Sequence, residues 1–394
     1  MRWLKHWIGR WLTRDRDDAI PLETVELDHV STAAGVVSNE SVDQAEVRRD
    51  VTSRPRRAHT RPTNVGLALQ GGGAYGAFTW GVLDRLLDEP RLRFPIVTGA
   101  SAGALNGALL VTGHAANGRA GAQKALADFW EGLGRLGSLV APFQSAQGLA
   151  SDFGFGGAGF MQALVRFWSP AQLNPFNVNP LRDLLVACID VDALRRHDAI
   201  RLHVAATNVE TGAPHLFAGD ALSIDALMAS ACLPTLYQAV PIDGVAYWDG
   251  GYSANPPLTP FLAASADDAA LEALLIQINP TNRPGTPATA ADILHRVNEI
   301  TFNAGLLAEL RQLEAVEVAS GRRRLSLHRI ALHDEVEAIG ASAASLDETF
   351  HRTLRDAGRR AAERWLETGW RDVHRAAKDA ASSANLQAAD VGPT

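Results

Sequence analysis

From about residue 65 onward, the apolar positions of this chain alternate between two rhythms. Val65 to Gln70 make an apolar run of strand length that ends in three glycines, Gly71, Gly72 and Gly73. The residues after them change period: Phe78, Val82 and Leu86 recur every fourth position, which places them on one face of a helix. The stretch FPIVTGAS repeats the event, with an apolar run, a glycine-flanked turn, and a small-residue helix over 102–111. Two strand–glycine turn–helix units in close succession predict a parallel α/β architecture. Helical patterns follow over 121–135 and 180–195, and the weakly periodic, Gly- and Phe-rich segment 142–178 lies between them. IRLHVAATNV and PHLFAG predict a hairpin across Glu210–Gly212, and SIDALMASACLP a helix stopped at Pro234. VPIDGVAYWDGGYSANPP reads as a second hairpin running into a sharp loop, and ALLIQINP as a buried strand. A helix over 288–320, a strand at LSLHRIAL and a long helix over 345–380 complete the pattern, with no internal repeat.

The first 62 residues behave differently. In MRWLKHWIGRWLTR, residues Trp3, Leu4, Trp7, Ile8, Trp11 and Leu12 form one helical stripe, and Arg2, Lys5, His6, Arg10 and Arg14 fall outside it. Tryptophan favours the membrane–water boundary and basic residues suit anionic head groups, so 1–14 reads as an interfacial anchor. Residues 15–62 are polar, carry charge of both signs in blocks and lack a period, which predicts a disordered linker. The expected organisation is an amphipathic helix at 1–14, a linker at 15–62, a globular α/β domain at 63–380 and a disordered tail at 381–394.

Charge and composition narrow the picture further. A net charge of −7 argues against general nucleic-acid binding. Cys188 and Cys232 sit in apolar surroundings without ligand spacing, as expected of a reduced, cytoplasmic-type protein. No apolar run is long enough to span a bilayer, and the N-terminus lacks the apolar core and cleavage site of a secretory signal. The expected location is cytoplasmic, peripheral on the inner membrane face or on a lipid inclusion. No His/Cys/Glu cluster suggests a metal, and no cofactor is expected.

The chemistry concentrates in three places. Gly99-Ala-Ser101-Ala-Gly103 fits G-x-S-x-G, the nucleophile elbow, where flanking glycines let neighbouring backbone approach a serine held on a tight strand-to-helix turn. The helix that follows presents the positive end of its dipole to a developing oxyanion. Gly71-Gly72-Gly73 exposes successive N–H groups. It is not a Walker loop, because no lysine follows. Gly71, Gly73 and Gly76 fit G-x-G-x-x-G, but no acidic residue closes the next strand, so a dinucleotide site is not expected. Neighbouring parallel strands bring the triglycine to the same sheet edge as Ser101, as an oxyanion hole. For the base, His328 and His333 suit the chain order of a triad, yet His328 lies mid-strand and His333 precedes an acidic run. Asp249, between an apolar strand and two glycines, is the better candidate, since desolvation beside Trp248 raises a carboxylate towards a useful pKa.

Triglycine loop, G-x-S-x-G elbow and late D-G-G, in that order, resemble the patatin-like phospholipases over about 65–260. ASACLP is similar to that family's small-residue helix ending in proline. The resemblance implies a three-layer α/β/α sandwich around a mostly parallel central sheet. It implies a lipid acyl hydrolase with a Ser–Asp dyad: Ser101 as nucleophile, Asp249 as general base, and Gly71, Gly72 and Gly73 as oxyanion donors. The implied partner is a lipid ester. One position departs from the family loop G-G-G-x-R-G: Tyr75 stands where the arginine would be, which bears on head-group preference. Two other readings stay open, a histidine-triad esterase and a non-catalytic lipid-surface protein.

Overall fold

The computed structural model describes residues 62–149, 169–264, 271–335 and 345–368. The expected anchor, nearly all of the linker, the middle of the Phe-rich segment and the C-terminal tail lie outside the described residues. So does the end of the long helix expected to reach residue 380.

In chain order the elements are β1 (Thr63–Asn64), β2 (Gly66–Leu69), α1 (Gly76–Leu87), β3 (Leu92–Arg93), β4 (Ile96–Ala100) and α2 (Ala102–Leu149). Next come α3 (Pro170–Leu173), α4 (Pro180–Cys188), α5 (Val191–Arg196), β5 (Arg201–Asn208), β6 (Pro214–Ala218) and α6 (Ile224–Ser230). The remainder are β7 (Val240–Ile242), β8 (Val245–Asp249), α7 (Thr259–Ala264), β9 (Leu271–Gln277), α8 (Ala290–Ser320), β10 (Leu325–Ala331) and α9 (Glu348–Glu367).

The main sheet is mixed. Strands β10, β9, β2, β4 and β5 are parallel neighbours in that order, while β6, β7 and β8 are antiparallel additions. β2 and β4 are buried at every position, as their unbroken apolar runs require of central parallel strands. The chain moves one way across the sheet from β2 to β4 to β5 and the other way from β9 to β10. Right-handed crossovers therefore carry α1 and α2 to one face and α8 to the other. The reversal falls between β2 and β9, the kind of crevice where α/β sheets place their ligands.

Helix α1 packs on α9, and the two cross where side chains are missing. A Cβ on Gly81 would lie 1.9 Å from the Arg355 carbonyl oxygen, and one on Gly358 would lie 2.2 Å from that of Phe78. α9 turns Leu354, Ala357, Ala361 and Trp365 inward at helical spacing, and Asp347 caps it by accepting from the Thr349 and Phe350 N–H groups.

Some boundaries differ from the sequence pattern. The helix after Ser101 runs on to Leu149, broken at Asn117–Gly118, so the Phe-rich segment begins as helix and not as loop. Residues 113–121 are all small or polar, which is why the periodicity fades around that break. The pattern over 180–195 is two helices, because Ile189 and Asp190 are extended and Asp190 caps α5. Both predicted hairpins are present.

Candidate active site

The site is assembled by one strand, β5. Its Ala205 pairs with Ala100 at the end of β4, and the next residue, Ala206, pairs with Asp249 at the end of β8. The opposite edge of β5 is taken by β6, which pairs with His203 through Thr207, so β4 and β8 share a single edge. Where one stops the other begins. Ser101, the residue after Ala100, and Asp249 thus arrive at consecutive positions from strands of opposite direction.

Ser101 holds φ at 52°, a left-handed conformation that serine seldom adopts and that costs on the order of 1–3 kcal/mol. Its surroundings enforce it. The Ser101 N–H donates to Ser230 Oγ at 2.9 Å, at the end of α6. A Cβ on Gly103 would lie 2.1 Å from the Leu69 carbonyl oxygen, so only glycine lets α2 start this close to β2. The serine is 6% exposed.

Asp249 is fully buried. Its Oδ1 accepts the Gly251 N–H at 2.7 Å, whereas Oδ2 has no hydrogen-bond partner among the described residues. Burial pushes the carboxyl up to about 7; the Gly251 N–H and the Ser101 side chain oppose that rise only in part. The backbone of Asp249 is fixed at both ends, by N–H donation to the Cys232 carbonyl at 2.9 Å and by acceptance from Thr207 Oγ1 at 2.7 Å. Cys232 itself is no rival nucleophile: burial, and then the Asp249 charge, push its thiol up to about 12.

The triglycine turn stands against the elbow. A Cβ on Gly71 would lie 2.5 Å from the Ala100 carbonyl oxygen and 2.6 Å from Ser101 Cβ. The three N–H groups are not equivalent, however. That of Gly71 donates to Asn255 Oδ1 at 2.7 Å and is therefore committed to the scaffold. Those of Gly72 and Gly73 make no hydrogen bond among the described residues, and Gly73 holds φ at 59°. Of the three, the N–H groups left uncommitted among the described residues are those of Gly72 and Gly73.

Behind the turn lies a polar network that the sequence pattern did not show. Gln70 is buried; its Oε1 accepts from the Ile278 and Asn279 N–H groups, both at 2.7 Å, and its Nε2 donates to Asn303 Oδ1 at 2.9 Å. Asn279 Nδ2 donates to the Gly71 carbonyl at 2.8 Å. Asn303 Nδ2 donates to the Pro280 carbonyl at 3.0 Å. The readable signal was Gln70 itself, a polar residue closing an otherwise apolar buried strand. Ser230 gave a similar one, within the small apolar helix α6.

The histidines stand elsewhere. His328 Nε2 lies 2.6 Å from Glu272 Oε2 across β10 and β9. Strands β9 and β2 separate it from β4, roughly 14 Å at ordinary strand spacing. His333 lies beyond β10, 3.2 Å from Asp334. Tyr75 is nearly buried, edge-on to Phe350 at 5.8 Å, with its phenol pushed up by burial and then by Glu299. Among the described residues no group of three or more His, Cys, Asp or Glu could hold a metal ion.

The mixed α/β sheet thus brings a strained serine elbow, a glycine turn and a desolvated carboxylate to one edge. Residues 67–262 match the family model of the patatin-like phospholipases, and the chain carries a domain of that family. At the level of the family, this supports lipid hydrolysis. Among solved structures, VipD from Legionella pneumophila is similar at 15% identity, covering 78% of this chain and 67% of that one, with a TM-score of 0.38. ExoU, in the ExoU–SpcU complex from the type III secretion system of Pseudomonas aeruginosa, is similar at 16% identity, covering 78% of this chain and 52% of that one, with a TM-score of 0.35. The chain thus spans about half the length of ExoU. No curated protein matches it.

Proposed function

We propose that this protein is a lipid acyl hydrolase in which Ser101 and Asp249 form a catalytic dyad. The observation that carries the reading is the β5 register, which delivers a strained serine and a buried carboxylate with an unpartnered oxygen to one point. Ser101 Oγ forms a bond to the ester carbonyl carbon as Asp249 takes its proton. The carbonyl oxygen becomes an oxyanion facing the Gly72 and Gly73 N–H groups and the start of α2. The C–O bond to the alcohol then breaks, and Asp249 returns the proton to the leaving oxygen. An acyl-enzyme remains. Water attacks it by the same route, and the fatty acid is released.

A carboxyl held near 7 suits both directions of proton transfer, since it is neither too weak to accept nor too strong to give back. The Glu272–His328 pair favours a structural role for that histidine over a triad. Residues 1–14 would serve as the membrane anchor of the hydrolase domain, bringing it to a bilayer or lipid inclusion. The test is labelling by a fluorophosphonate probe. Wild type should label; Ser101→Ala should not, and Asp249→Asn should label at least about a hundredfold more slowly. Labelling that survives Ser101→Ala would place the nucleophile elsewhere.

A further inference from the structure

The first peptide unit of the triglycine turn is gripped by its oxygen. The Gly71 carbonyl accepts from Asn279 Nδ2 at 2.8 Å and from Asn255 Nδ2 at 3.4 Å. A carbonyl oxygen has two lone pairs, so these two donors fill it. Asn255 also takes the Gly71 N–H on its Oδ1 at 2.7 Å, and one side-chain amide thereby holds both polar groups of the same glycine. The two asparagines are themselves fixed. The Asn279 N–H donates to Gln70 Oε1 at 2.7 Å, and the Asn279 carbonyl accepts from Gln277 Nε2 at 2.8 Å. Asn255 is fully buried, and its Nδ2 lies 3.2 Å from the Phe302 carbonyl as well.

A trans peptide unit is planar, so its C=O and its N–H point opposite ways. The Gly71 carbonyl shares its plane with the Gly72 N–H. Holding that carbonyl to Asn279, which follows β9, turns the Gly72 N–H away from the β9 side. β9 and β4 flank β2 on opposite sides, and Ser101 stands at the end of β4. Glycines border the unit at both ends and would let it rotate if its oxygen were released. The next unit is held differently: the Gly72 carbonyl accepts the Tyr75 N–H at 3.3 Å, a bond within the turn's own backbone. Of the two uncommitted N–H groups, that of Gly72 is therefore the one that depends on side chains. Asn255 brings in the base as well, because it ends the loop that begins at Asp249. That loop is pressed on α8, where a Cβ on Gly251 would lie 2.3 Å from the Phe302 ring and one on Gly305 would lie 2.4 Å from the Ser253 carbonyl oxygen.

We propose that Asn279, together with Asn255, is a positioning residue that aims the Gly72 N–H at the oxyanion formed on Ser101. This rests on the reading of the site as an acyl hydrolase and names what sets the direction of one of its donors. A carbonyl that accepts two hydrogen bonds also polarises its amide, which strengthens the N–H on the other side of the plane. Neither asparagine touches the substrate in this role. The ester carbonyl carries little charge when it binds, whereas the tetrahedral intermediate carries a full one. Loss of the aim therefore falls on kcat and leaves KM in place.

The test uses full-length protein and falls on Asn279, which is half-buried and so tolerates substitution better than Asn255. Asn279→Ala removes both the donor and the volume; Asn279→Leu removes the donor and keeps the volume. Where thermal melting shows either variant unfolded, Asn279→Ser takes its place. Each is measured on a soluble short-chain ester and for inhibition by a short-chain alkyl trifluoromethyl ketone. Ser101 Oγ adds to the ketone carbon, its proton passes to Asp249, and the ketone oxygen becomes the oxyanion. The variants should lower kcat at least about tenfold and leave KM within about twofold, and the ketone should weaken by the same factor as kcat/KM. The pH midpoint of the rate should stay at its wild-type value, because the base is not moved. A wild-type kcat in Asn279→Leu overturns the inference in favour of packing. Ketone affinity that stays at wild type while kcat falls overturns it too. If Ser101→Ala still hydrolyses the ester at the wild-type rate, the reading of the site falls and takes the inference with it. If Ser101 is required but the Asn279 variants keep the full rate, the inference alone falls.

Discussion

Asp249 carries two pH dependences of opposite sense, and they separate its chemistry from its cost. As the proposed base it must be ionised, so kcat/KM for a soluble ester should rise with pH through about 7 and then level. As a buried group with a raised pKa it opposes folding once it is charged. The unfolded carboxyl loses its proton near the usual 3.8 and the folded one near 7, so the folded state binds more protons in between, and stability falls as pH rises across that window. Asp249→Asn should therefore raise the melting temperature more at pH 8 than at pH 5, while lowering hydrolysis by about a thousandfold or more. Ser101→Ala should lower hydrolysis as far, without the pH-dependent gain in stability. His328→Ala should leave the rate close to wild type. A rate loss in His328→Ala as large as that in Asp249→Asn, with the fold intact, would falsify the dyad.

At the scale of elements, the triglycine turn sorts its members by what each one touches. Gly71→Ala would drive a methyl into the Ala100 carbonyl and Ser101 Cβ, which are backbone and proposed nucleophile, and about a hundredfold loss in kcat is expected. Gly72→Ala meets only the Ile278 side chain, its Cβ 2.7 Å from Cγ2. Its φ of 174° lies outside the left-handed region that favours glycine. A smaller loss is expected there, largely recovered by adding Ile278→Ala; steady-state kinetics of the three variants decides it. That Ser101, Asp249 and the triglycine meet at one sheet edge was legible in the sequence, because each sits where an apolar run stops at glycine, a local signal. The Gln70–Asn255–Asn279–Asn303 network was not, because its members are separated by up to 233 positions and meet only when β2, β9 and α8 pack. The commitment of the Gly71 N–H to Asn255 belongs to the same class of fact: spacing shows that a glycine exposes its N–H, but not who takes it.

For the molecule as a whole, the prediction concerns the segment that precedes the domain. Removing residues 1–14 should reduce sedimentation with anionic vesicles and activity on aggregated lipid, and leave hydrolysis of a soluble short-chain ester near wild type. Full vesicle binding by the truncated chain would assign the membrane contact to residues 15–394 instead. The shared edge of β5 carries a different kind of consequence. Because Ser101 and Asp249 are both indexed to one ruler, their spacing can change only in whole steps. One residue added to β8 would shift its pairing by a step and turn the carboxylate to the other side of the sheet. The excursion between β5 and β8 has no such ruler at its outer tips, around Thr211 and around Asp243, where the chain turns back in solvent. Lengthening those tips should be tolerated, so the outer contour of the protein is free to be remodelled while the reacting pair stays in place.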